Sequence, residues 1–272
     1  MKIKNRFFSL LGCILFLSFA VLLILKPEIC KSSISMAILL CGQVIIPSLF
    51  PFGVCVLFLM KSGICEKLEF LSPVTIKIFG VSTYPFIILI FSMLGGYPIG
   101  AKLLNEAVKT NTLTEKQAEK MLCYCVNAGP AFIISAVGNG ILNNSKIGYV
   151  LLISHIASSF LICRFNGKIT AHPQKARVYL STSENFVSSA SSSANAVTSI
   201  CFYVILFSSI TAYIEYFSKN LPILESVTYI TEITSAVTKT NNIYIISFLL
   251  AFAGICIWCQ IFSVAKEIKI TF

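Results

Sequence analysis

Long apolar runs, separated by short polar or glycine/proline-rich breaks, set the pattern of the chain. Phe7–Leu25, Ile34–Met60, Tyr84–Leu94, Ile147–Cys163, Ile200–Ile214 and Ile243–Ala265 are continuously apolar rather than alternating. Runs of this kind predict helices that cross a bilayer, whereas barrel strands would alternate over short segments. The pattern therefore predicts an all-α, polytopic helical membrane protein, with broken or re-entrant helices where the runs are interrupted.

Two interruptions are unusual. Gly95–Gly140 reads GGYPIGAKLLNEAVKTNTLTEKQAEKMLCYCVNAGPAFIISAVGNG, so GGYPIG and NAGP lie in apolar surroundings on either side of a polar connector. Unpaired backbone at membrane depth persists only where protein or a cavity receives it. Between the breaks, AKLLNEAVKT predicts one helix. TEKQAEKML predicts another, with Thr114 and Gln117 forming a capping box. Pro130 stands where a new helix would begin, and Gly138-Asn139-Gly140 reads as a turn.

Elsewhere the pattern is simpler. Pro47 and Pro51 in PSLFPF predict either a kink or a break in the second apolar run. Lys61–Gly80 is too polar to span and too apolar for a free loop, as an interfacial or re-entrant segment would be. Arg164–Thr182 is a basic, soluble loop that contains His172, read as solvated. Ser183 is placed to cap a helix whose first turns, Ser188–Ala196, are almost wholly small. Such residues suit close helix packing, with a polar pore lining as the rival reading. The chain divides into an N-terminal membrane helix (1–32), a first half (33–163), the basic loop (164–182) and a shorter second half (183–272).

Composition agrees. Of the 272 residues 56% are hydrophobic and 12% charged, with mean hydropathy +0.86; soluble domains carry about 25% charged residues. The net charge of +10 is scattered. It reads as loop topology, with the N-terminus, basic loop and C-terminus cytoplasmic, rather than as a nucleic-acid surface. Eleven cysteines lie mostly within apolar runs and read as small hydrophobes, Cys256-x-x-Cys259 included.

The chemistry on offer is sparse. The chain has no aspartate and two histidines, and it lacks GxSxG, HExxH, P-loop and GxGxxG motifs. No catalytic residue, metal ligand or cofactor is expected. His155, in a membrane helix among Ser154, Ser158 and Ser159, is either functional or hydrogen-bonded to a serine. Helices that start after GGYPIG and at Pro130 would turn free N–H groups and positive dipole ends toward the breaks. Such an arrangement suits an anion. Gly95, Gly96, Tyr97, Pro98, Gly100, Asn127, Gly129 and Pro130 are the candidate binding residues, with Lys102 in the first turn after the break adding a full charge. Simple re-entrant turns satisfied by neighbouring helices are the plainer reading.

GGYPIGAK, CVNAGPAFIISAVG, TEIT and AFAGICIWCQ together resemble the YlbJ-type sporulation integral membrane proteins of the wider nucleoside-recognition (Gate) family. GGYPIGAK resembles that family's SGYP-type signature and NAGPAFIISAVG its N-S-G-P-type signature. Glu232 in TEIT and Gln260 in AFAGICIWCQ match later polar positions. Ala253 stands where a second glycine is usual.

The resemblance implies two gate-like halves and a permease in a membrane of an endospore-forming bacterium, with the outer forespore membrane as the candidate, moving dipicolinate. The alternatives are a nucleoside or nucleobase carrier and a non-transporting scaffold for spore-envelope assembly. The implied partners are a small anionic solute, the lipid bilayer, and either further copies of the chain or sporulation membrane proteins; nucleic acid is not among them. The first-half breaks should meet the Thr231–Thr234 segment near mid-membrane.

Overall fold

The computed structural model describes residues 2–171, 181–218 and 222–270. His172 and most of the basic loop lie outside the described residues. The described chain is helical, and its only strand-like feature is an isolated bridge between Val81 and Ile169. Among the described residues four helices are long and apolar enough to cross a membrane: Glu28–Lys61, Ser145–Phe165, Thr182–Ser218 and Ile243–Val264. The protein is an integral membrane protein of broken and re-entrant helices.

Helix α1 (Lys2–Leu25) leads into α2 (Glu28–Leu40), a π-helical stretch (Cys41–Ile45) and α3 (Ile46–Lys61), which run on as one rod. The two prolines therefore do not break it. The register shift is taken up just before them, where Ile46 N–H reaches back five residues to the Cys41 carbonyl. Helix α10 (Thr182–Ser218) lies along this rod with opposite polarity. Asn185 Nδ2 donates to Phe58 O at 3.2 Å and Ser193 Oγ to Phe50 O at 2.9 Å. Gly53 sits directly against Ser193, so the small-residue stretch serves packing. The cap of α10 is Ser181, not Ser183: Ser181 Oγ accepts from Glu184 N–H at 3.3 Å while Glu184 Oε2 accepts from Ser181 N–H at 3.0 Å.

Contacts between distant segments identify two ends of the molecule. At one, Gln117 Nε2 donates to Thr170 O, Asn166 Nδ2 to Lys120 O, Glu267 N–H to Asn105 Oδ1 and Lys269 N–H to Glu115 Oε1, at 2.8–3.0 Å. At the other, Tyr213 Oη donates to the carbonyls of Leu22 and Lys26, and Lys239 pairs with Glu215 at 2.8 Å. The first end carries Lys109, Lys120, Arg164, Lys168, Lys266 and Lys269. It is the end that the positive-inside tendency leads one to expect on the cytoplasmic side.

Between these ends the chain makes the same shape twice, upside down. Helix α6 (Thr83–Gly95) descends from the basic end to the interior, and α7 (Tyr97–Lys109) returns, forming a hairpin. Helix α8 (Glu115–Cys125) descends again. After an extended link, the π-helical segment Ala131–Ile141 continues toward the opposite end, and α9 (Ser145–Phe165) climbs back. In the second half α11 (Pro222–Thr231) and α12 (Ile233–Thr238) form a shorter hairpin from the opposite end. Helices α13 (Ile243–Phe252) and α14 (Gly254–Val264) make the broken span back to the basic end. A hairpin plus a broken span, repeated with inverted topology, is an arrangement shared by several transporter folds.

The Gly138-Asn139-Gly140 stretch is not a turn but part of the π-helical segment. A β-carbon on Gly138 would lie 2.8 Å from Gly148 Cα, so the two glycines let this segment and α9 touch through their backbones. Residues 61–80, expected to be interfacial or re-entrant, form no spanning helix. They include the short helices α4 (Ile64–Lys67) and α5 (Ser72–Phe79), with Phe70, Val74 and Ile78 exposed. One large core joins both halves through Ile88, Leu89, Leu104, Met121, Ile133, Ile246, Leu250 and Ile261. Phe16, Ile153, Phe202 and Phe248 point outward, as lipid-facing residues do.

Candidate functional site

At the first-half break, Gly96 has φ +85° and ψ 180°, a conformation open essentially to glycine alone. Its Cα meets Gly129: a β-carbon on Gly96 would sit 3.3 Å from Gly129 N, and one on Gly129 would sit 3.3 Å from Gly96 Cα. The GGYPIG and NAGP tips therefore touch backbone to backbone, and Gly100 abuts the Cys125 carbonyl. Gly95 lies against Phe52 and Ile99. Pro98, in the first turn of α7, and Pro130, at the head of the π-helical segment, occupy positions where no N–H is missed.

The groups orphaned by the broken span are met locally. Asn127, 2% exposed, donates from Nδ2 to Tyr124 O at 2.8 Å and to Ser92 Oγ at 3.3 Å. Ser159 Oγ donates to Asn127 Oδ1 at 2.6 Å. The N–H of Ala128 donates to His155 Nε2 at 3.1 Å, which assigns the imidazole proton to Nδ1. His155 is thus bonded to the break rather than to a serine: the break frees the Ala128 N–H, and α9 brings His155 to it. Its placement one turn before Ser159 was the sequence signal for this: residues four apart share a face. Ser92 had no such signal.

The second-half break repeats the motif with different chemistry. Ala253 is held at φ +67° and Gly254 at φ +82°. A β-carbon on Gly254 would lie 3.3 Å from Ile230 O and 3.5 Å from Thr231 O and Ile233 N, so this break touches the tip of the α11–α12 hairpin. Glu232, 3% exposed, caps α12 by accepting from Thr234 N–H at 2.8 Å. Gln260 lies two turns along α14, about 9 Å from Gly254. It is 1% exposed; its Nε2 donates to Cys256 Sγ at 3.4 Å and its Oε1 has no partner among the described residues.

The two pairs of breaks meet through Tyr97. Its hydroxyl donates to Leu250 O at 2.7 Å, occupying a carbonyl that the end of α13 leaves open. Helix α12 also packs on the π-helical segment, and α14 on α7. Gly95, Gly96, Tyr97, Pro98, Gly100, Asn127, Gly129 and Pro130 thus gather at one junction, with Glu232 at the paired break. Lys102 departs from expectation. It lies in the second turn of α7, and its ammonium pairs with Glu106, 3.3 Å away and one turn farther from the break. It faces a cleft between α3, α7 and α10.

Among the described residues no three His, Cys or Glu side chains gather as a metal site, and all eleven cysteines are free. What remains is an integral membrane protein with two crossed pairs of broken elements joined at mid-depth.

The chain is 29% identical over 121 residues to the sporulation integral membrane protein YlbJ of Bacillus subtilis (strain 168). The match covers 44% of this chain and 30% of that relative's length. No family model matches the chain, and no solved structure does. The protein is thus a distant relative of a sporulation integral membrane protein.

Proposed function

We propose that the protein is a membrane carrier or channel for a small anionic solute, dipicolinate by preference, and that it acts in a membrane of the sporulating cell. The observation that carries this reading is the meeting of two helix N-termini, those of α7 and of the π-helical segment, where Gly96 touches Gly129. Like dipole ends brought together favour an anion between them. The glycines permit close approach of a ligand to the backbone once the tips part. A planar dicarboxylate offers one carboxylate to each helix end. At the second break the Glu232 carboxylate already caps the helix, so the first break is the one with an anion to gain. The distant relation to a sporulation membrane protein supports the setting.

The test is flux of dipicolinate into liposomes holding the purified protein. Saturable uptake that falls at least tenfold in a well-folded Asn127→Ala variant is expected. Absence of flux above protein-free liposomes, with the protein correctly folded, would sink the reading.

A further inference from the structure

The first break is tied to α9 by a bond that a proton can take away. Ala128 N–H donates to His155 Nε2 at 3.1 Å, so the lone pair of that nitrogen already holds a backbone donor. An imidazolium carries protons on both nitrogens and accepts nothing. A second proton and the Ala128 N–H therefore compete for one place on the ring, which cannot hold both.

The bond acts where the two tips meet. Residues 126–129 are an extended link between α8 and Pro130. Asn127 is held through its side chain, by Tyr124 O, Ser92 Oγ and Ser159 Oγ, whereas the backbone of Ala128 is held by His155. The next residue, Gly129, is the one that lies against Gly96. Loss of the His155 bond thus frees the NAGP tip beside its contact with the GGYPIG tip.

His155 stands at the middle of α9, about 15 Å along the axis from either end. Histidines at such depth mark proton relays. The π-helical segment packed on α9, AFIISAVGNGI, carries no titratable side chain. Helix α8 brings Cys123, Tyr124 and Cys125 toward the break, while its charges, Glu115 to Lys120, lie toward the basic end. Helix α5 meets α9 at Cys163, whose Sγ donates to Phe79 O at 3.5 Å, so Lys77 lies toward that end as well. The one titratable group of α13 is Tyr244, 86% exposed. On α9 itself Lys146, Tyr149, Cys163 and Arg164 all lie more than one turn away. Among the described residues no ion pair includes His155. Nothing there holds the ring permanently charged.

We propose that His155 is a proton-binding site that governs the first break: the neutral ring holds the NAGP link against α9, and protonation releases it. The linkage has a definite sign. The closed break binds one proton fewer than the open one, so closure is favoured at high pH and is lost as pH falls. The second break holds its free N–H, that of Thr234, with the Glu232 carboxylate, a different group. The inference stands whether or not a solute crosses at the breaks.

The experiment is hydrogen exchange of the full-length protein in lipid nanodiscs, each rate divided by the intrinsic rate at that pH. Protection of the peptide containing Ala128 should fall at least about fivefold between about pH 8 and about pH 5. A peptide from α3 should keep its protection. His155→Gln supplies an acceptor that does not titrate, and should protect the link equally at both pH values. His155→Ala should leave it unprotected at both. In a His172→Gln background, nitrogen-15 NMR should show Nε2 of His155 bare at the higher pH and protonated at the lower. If His155→Gln does not fold, this spectrum and the wild-type exchange decide. Equal protection of the wild-type link at both pH values overturns the proposal. So does a pH dependence that survives in His155→Gln, or an Nε2 that stays bare in acid.

Discussion

The hydroxyl of Tyr97, in the first turn of α7, donates to the carbonyl of Leu250 near the end of α13, and so one hydrogen bond ties the tip of one hairpin to the broken span of the other half. Tyr97 is 7% exposed, so the bond is made away from water. Tyr97→Phe keeps the ring and strands a buried carbonyl. A loss of about 1–3 kcal/mol is expected, read as a lower thermal midpoint in detergent, whereas a midpoint equal to wild type would show the two halves are not held by it.

The glycines of the first break differ sharply in what they tolerate. A β-carbon on Gly100 would strike the Cys125 carbonyl, and Gly96 has a backbone closed to other residues. A methyl group on Gly12 meets nothing. Gly96→Ala and Gly100→Ala should therefore abolish monodisperse expression or cost several kcal/mol, in the range of about 3 or more. Gly12→Ala should be neutral or stabilising by up to about 1 kcal/mol. Size-exclusion profiles of the three variants make the comparison.

Ala253 presents the opposite case, a β-carbon where the backbone would rather have none. Its φ of +67° is left-handed. Ala253→Gly relieves that strain and should raise stability by about 1 kcal/mol. Thermal unfolding in one detergent measures it; a fall in midpoint would mean that flexibility gained in the unfolded chain outweighs the strain.

Asn127 and Ser159 share one bond, yet their losses should not be equal. Asn127→Ala strands the Tyr124 carbonyl and leaves Ser92 Oγ and Ser159 Oγ with only carbonyls of their own helices, Leu89 O and His155 O. Ser159→Ala removes its own hydroxyl and one bond to Asn127 Oδ1, while the Asn127 amide keeps Tyr124 O and Ser92 Oγ. Asn127→Ala is expected to cost about 1–3 kcal/mol and Ser159→Ala about 1 or less. In a double-mutant cycle the pair should be non-additive by at least about 0.5 kcal/mol.

The two ends of the molecule predict sidedness. In a cysteine-free background, cysteines placed at Lys109 and Lys168 should react with an impermeant maleimide from the cytoplasmic side. Cysteines at Lys31 and Lys146 should react only from the other side. Labelling of Lys109→Cys and Lys146→Cys from one side would contradict the broken span formed by α8 and the π-helical segment.

Much of this was legible in the residues. The apolar runs located the spans, and GGYPIG, NAGP and AFAG each became a break, since glycine and proline act on the backbone where they stand. The Thr114–Gln117 capping box formed as its spacing implied. What the sequence withheld were matters of partner. Pro47 and Pro51 could kink or break their helix, and the π-helical stretch upstream decided it. Gly138 and Gly140 looked like a turn because the use of Gly138, contact with α9 through Gly148, is tertiary. Lys102 looked aimed at the break until its pairing with Glu106 gave its rotamer. His155 shares a face with Ser159, as its spacing shows, but the partner it bonds, the Ala128 N–H, is supplied by the break.

The hairpins enter from opposite ends and stop at mid-depth, which has an electrical meaning. A charge resting where Gly96 meets Gly129 has about half of the membrane's voltage on either side of it. For a dianion, each half-step then spans about 2.3 kcal/mol per 100 mV. If the proposed dianion rests there, the membrane potential helps its exit toward one end and opposes its exit toward the other, so voltage alone would give the two exits a direction.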